Sequence, residues 1–209
     1  MSLQTAYDYA WQACETDRSS EHLRQLGASA RSLGRVDEAI THLVEAEGLA
    51  RAEGDTWELA TVLNWLGFAL AERGQWPEAM RAYNEGLTLT AGPMLRRLHA
   101  GILQNRAELH QFIGDLDASA ADYQAAIPVF EGHDDTLALA GAYADLAMVY
   151  QKLGDVEKAK PLAERALAVE RERGYLRGVV LDLNLLAGLQ LVAPVAVTYS
   201  IQQGIHFAG

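Results

Sequence analysis

Apolar positions recur along this chain with a step of 40 residues, and within each step they alternate in the way helices require. Leu23, Leu63, Leu103, Tyr143 and Leu183 share one phase, and Leu26, Leu66, Arg106, Leu146 and Leu186 follow three residues later. A spacing of three puts both columns on one face of a helix. The position after them is small in every unit, as Gly27, Gly67, Ala107, Ala147 and Ala187, and so is a later one, Ala39, Ala79, Ser119 and Ala159. Small residues on two facing helices allow their backbones to come close. A second apolar face follows with Leu43, Tyr83, Tyr123 and Ala163, then Ala46, Gly86, Ala126 and Ala166 three residues on.

Between the two faces stands a glycine, in "GRVDEA" (34–39), "GQWPEA" (74–79), "GDLDAS" (114–119) and "GDVEKA" (154–159). A glycine here ends the first helix, because it takes positive φ without a steric penalty. The second helix starts at once. Asp115 and Asp155 cap its free amides, and Pro77 sits in a first turn, where a missing N–H costs nothing. The pattern predicts helical hairpins in units starting near 20, 60, 100, 140 and 180, preceded by a single helix over about Leu3 to Asp17. One hairpin leaves an apolar face wet, and stacking of neighbours buries it.

These columns resemble the tetratricopeptide repeat family, whose units place a large residue, Leu, Gly or Ala, an aromatic, Gly, Ala, an aromatic and Ala in this order. The resemblance covers about residues 20 to 192. Arg106 departs from its apolar column, Ser119 replaces alanine, and the late proline of the 34-residue unit is replaced by Arg51, Ala91, Glu131 and Arg171. The 40-residue period is similar to that of kinesin light chains, LGN-type modulators and bacterial signalling proteins. HEAT repeats share the period but do not call for the hairpin glycine with alanine five residues on. The resemblance implies an all-α, right-handed α-solenoid of antiparallel helix pairs over residues 1–192, with a tail over 193–209.

Composition narrows the function. Seventeen Lys and Arg stand against 28 Asp and Glu, and a net charge of -11 repels a phosphate backbone, so nucleic acid is not an expected partner. The single cysteine, Cys14, has no partner for an internal disulfide, in keeping with a cytoplasmic protein. The N-terminus lacks the basic start and apolar run of an export signal. Leu183 to Ile205 contains no charged residue and is long enough to span a bilayer, but Asn184, Gln190, Gln202, Gln203 and Pro194 argue against a membrane segment.

Candidate chemistry is sparse. P-loop, GxSxG and HExxH motifs are missing from the sequence. His133, Asp134 and Asp135 in "GHDD" read as connector and N-cap residues rather than metal ligands, and the acidic residues of "VERERG" and "EGDTWE" read as solvated faces. The expectation is a non-catalytic protein with no cofactor and no metal.

In the tetratricopeptide family the first helix of each unit lines the concave side. Carried over residue by residue, the resemblance implies a groove formed by Arg24, Gln25, Arg31, Asn64, Trp65, Phe68, Glu72, Gln104, Asn105, Glu108, Gln111, Phe112, Asp145, Met148, Gln151, Lys152 and Asn184. Amides both donate to and accept from a peptide backbone, and Trp65, Phe68 and Met148 offer apolar anchors. Phe112 is expected to favour core packing between units. The expected function is a scaffold or adaptor binding a peptide segment of another protein, with a sensor of a small ligand or oligopeptide as the alternative. In the fifth unit Val179, Val180, Leu183, Leu186 and Leu189 lack a second helix to cover them, which predicts a homodimer through this end, with the tail as a further cover.

Overall fold

The computed structural model describes residues 2–132, 136–175 and 178–189. Along them run α1 (Leu3–Thr16), α2 (Ser20–Ser32), α3 (Val36–Glu53), α4 (Thr56–Glu72), α5 (Trp76–Leu89), α6 (Arg96–Ile113), α7 (Leu116–Gly132), α8 (Thr136–Lys152), α9 (Val156–Arg173) and α10 (178–189). No strand occurs among the described residues, so the chain is all-α, as its periodicity requires. From the second hairpin onward the first helices start four residues earlier than the repeat cuts, at Thr56, Arg96 and Thr136. The tail 193–209 and the His133–Asp135 connector lie outside the described residues.

The chain divides into two compact units, residues 1–109 and 110–209, with the boundary inside α6. In the first, α2 pairs with α3 and α4 with α5; α1 packs on α2, and α3 on α4. In the second, α8 pairs with α9 and α7 packs on α8.

The hairpin turn is local chemistry. Gly74 has φ +81°, and Gln75 N–H donates back to Leu70 C=O at 2.9 Å, closing α4 before α5 begins. Gly34, Gly114 and Gly154 adopt the same left-handed conformation. Asp155 accepts from Lys158 N–H at 3.1 Å and Asp115 from Ala118 N–H at 3.2 Å, so both cap as expected.

The small columns are where helices touch. A Cβ on Gly67 would lie 2.6 Å from Cε1 of Tyr83, whose ring is fully buried, so α4 and α5 approach through a residue with no side chain. Gly27 meets Leu43 in the same way between α2 and α3. Leu23, Leu26, Leu63 and Leu66 form the core of the first unit, and Tyr123, Tyr143 and Leu146 are buried in the second. Arg106, the odd residue of its column, turns its Nη1 to Asn84 Oδ1 at 2.7 Å.

One expectation about packing at α10 fails. Leu183, in the first apolar column but expected to lack a covering helix, is 43% exposed. Leu189, expected on the open surface, is buried instead, along with Asp182. α10 therefore docks on a face through 182 and 189, seven residues apart, and leaves Val180, Leu181 and Leu183 exposed.

Candidate functional site

The first unit presents one wall built from the first helices α2, α4 and the start of α6. Arg24 on α2 reaches Glu58 in the first turn of α4, Nε to Oε1 at 2.8 Å, and the pair is nearly closed off from solvent. Its guanidinium lies 6.0 Å from the Trp57 ring. About two turns along α2, Arg31 donates to Glu72 at 3.0 Å and stacks 4.2 Å from Phe68 and 5.5 Å from Trp65. Its Nε is buried with no hydrogen-bond partner among the described residues. Asn105 on α6 donates to Asn64 on α4 at 2.8 Å.

The pairs Arg31–Glu72 and Asn64–Asn105 are each 41 residues apart, one repeat plus one residue. Neighbouring first helices are thus offset by a single position, and residues at equivalent heights bond laterally. Gln25 stays on its own helix, donating to Glu21 at 3.0 Å, while Gln104 and Glu108 are half-buried. Behind the wall, burial first and the charge of Glu108 second push the Tyr83 phenol above its ordinary range.

In the second unit Lys152 donates to Gln111 at 2.9 Å, again 41 residues away, and Gln111 donates to the Tyr123 hydroxyl at 3.3 Å. Burial raises Asp145 to about 6, against the pull of a hydrogen bond from Tyr123 and the charge of Lys152. Met148 and Asn184 are exposed. Phe112 is 79% exposed, against the expectation of core packing, because it falls off the buried face of α6.

In each of two acidic segments read as solvated, one acid is buried while the others stay exposed. Glu58 of "EGDTWE" is 4% exposed and Glu170 of "VERERG" is 8% exposed. Trp57, also missed, is exposed beside Arg24. An acid beside a tryptophan at a helix start, 34 residues after an arginine, was the available signal for the Arg24–Glu58 pair.

A cleft of about 420 Å³ opens between α1 and α2, lined by Tyr9, Arg24, Gln25 and four small residues. Another of about 510 Å³ lies on α7, α8 and α9, where Lys158 sits 5.1 Å over Tyr150 and Arg165 5.2 Å over Tyr143. Burial, then a hydrogen bond to Glu131, pushes Tyr143 up to about 12. Among the described residues no group of three acids, histidines or cysteines is placed to hold a metal ion, and no helix is long and apolar enough to cross a membrane.

The tetratricopeptide repeat model matches residues 18–91 and 99–172. Kinesin light chain-related protein 3 of Arabidopsis thaliana is 24% identical over 181 residues, covering 78% of this chain; the chain spans 28% of that protein's length. Among solved structures, BtubC (BKLC) of P. vanneervenii superposes with TM-score 0.69 at 18% identity, covering 99% of this chain and 91% of that one. A Rap protein complexed with Competence and Sporulation Factor superposes with TM-score 0.77 at 14% identity, covering 96% of this chain and 61% of that one.

Proposed function

We propose, for a chain that belongs to the tetratricopeptide repeat family, that it is a non-catalytic interaction scaffold whose first-helix wall receives a peptide segment of another protein. The observation that carries this reading is the spare bonding capacity beside half-buried aromatics. A single bond joins Asn64 to Asn105, which keeps Asn64 Nδ2 as a donor and Asn105 Oδ1 as an acceptor. Arg31 Nε adds a second donor between Trp65 and Phe68. An extended backbone offers a carbonyl and an N–H to match them. The other residues of this reading are Arg24, Gln25, Gln104 and Glu108 in the first unit and Asp145, Met148, Lys152 and Asn184 in the second.

The net charge of -11 supports a protein or peptide over nucleic acid, and Cys14, buried with its thiol pushed up chiefly by desolvation, suits a reducing cytoplasm. The direct test is peptide mapping of co-purified proteins followed by calorimetric titration. Asn64→Ala and Asn105→Ala are each expected to weaken the mapped peptide by about 1 kcal/mol, roughly fivefold. Affinity unchanged by both substitutions overturns the assignment of the wall.

The exposed edge Val180, Leu181 and Leu183 of α10 supports self-association through that end. Light scattering at micromolar concentration is expected to give a dimer mass that falls to the monomer in Leu181→Lys. A strictly monomeric wild-type chain removes this part of the reading.

A further inference from the structure

α10 rests on α9 through two acids. Asp182 is 2% exposed and Glu170 is 8% exposed, and their side chains share a hydrogen bond, which two carboxyl groups make only when one of them carries a proton. The remaining oxygens, Glu170 Oε2 and Asp182 Oδ2, are buried with no hydrogen-bond partner among the described residues. Contact is tight, since a Cβ on Gly178 would fall 1.8 Å from Glu170 Oε1. The α10 backbone therefore lies directly on the Glu170 carboxyl.

The charged surroundings do not neutralise the pair. From α8, Asp145 adds a further negative charge toward Asp182. Lys152, on the same helix, acts on Asp145 and donates to Gln111, while Tyr123 of α7 also bonds Asp145. Asp182 is the one titratable residue in 178–189.

From this geometry we infer that Glu170 and Asp182 form a proton-operated latch, in which one shared proton holds α10 against α9 and its loss releases the helix. Release also uncovers α8 at Gln151, whose Nε2 is 3.3 Å from the position of a Cβ on Gly188. The latch stands independently of any peptide in the wall.

Burial first, then the charge and hydrogen bond of Glu170, raise Asp182 from its ordinary value to about 7, and burial raises Glu170 in the same direction. An acid raised in the docked state binds its proton more tightly there than in the released state. Its support for docking is complete below about pH 4, declines as pH rises, and is gone above about pH 7, at up to about tenfold per unit.

Hydrogen exchange of the full chain between pH 5 and 8, corrected for the intrinsic rate and referenced to α4, reads the docking equilibrium. The expected result is a loss of protection in 178–189 of at least about tenfold across that range in the wild type. Asp182→Asn, whose amide donates to Glu170 without a titrating proton, is expected to keep its pH 5 protection at pH 8. Asp145→Asn, which removes one negative charge acting on Asp182, is expected to keep the pH-dependent loss of protection with its midpoint moved to lower pH. Should Asp182→Asn fail to fold by circular dichroism, Glu170→Gln supplies the same comparison. A flat wild-type profile overturns the latch, as does a pH dependence that survives in the Asn or Gln variants or vanishes in Asp145→Asn, which would make Asp145 the titrating group.

Discussion

Arg24→Met is expected to lower the unfolding free energy by about 3–5 kcal/mol, because it leaves Glu58 as an uncompensated buried charge. The side chains of Arg24 and Glu58 are 14% and 5% exposed, and the two are held at 2.8 Å across α2 and α4. Much of the loss is a desolvation penalty rather than the worth of the pair. The double variant Arg24→Met with Glu58→Gln is therefore expected to recover most of the stability. Urea unfolding of the single and double variants makes the comparison. An Arg24→Met protein as stable as the wild type would mean that Glu58 finds water, and the wall of α2 and α4 would then be looser than its geometry. Arg24 also belongs to the proposed peptide wall, so its substitution conflates folding with binding, and Asn64 and Asn105 are the cleaner probes of recognition.

Leu66→Ala is expected to cost about 2–5 kcal/mol. Leu66 is 5% exposed in α4, immediately before Gly67, where α4 and α5 come too close for any added Cβ. Packing this tight limits how far neighbours collapse into the vacated space, which favours the upper half of that range. Chemical denaturation with an unchanged m-value checks it. A change near zero would place Leu66 outside the core and shift the register of the whole repeat. The two substitutions probe different supports of α4: Arg24 tests its lateral contact with the preceding first helix α2, and Leu66 its seam with α5 within one hairpin.

The amino-acid sequence by itself determined the hairpins, their phase and their stacking logic. Gly34, Gly74, Gly114 and Gly154 take positive φ, and Asp115 and Asp155 cap, because both effects act within one turn of the backbone. The columns of leucine and tyrosine found the core for a similar reason, since helical period alone dictates which residues share a face. Only the tertiary structure decided what the polar residues do. Arg24 meets Glu58 across 34 residues, and Asn64 meets Asn105 and Gln111 meets Lys152 across 41. The two 41-residue partnerships depend on a one-residue offset between neighbouring first helices, which no local pattern specifies. Glu58 and Glu170 look like solvated acids until the helix beside them is in place, and Phe112 looks like core until its rotation on α6 is known. At α10 the buried residues are Asp182 and Leu189. Burial of a side chain is a property of what packs against it, and across stacked helices that neighbour is supplied by a distant part of the chain.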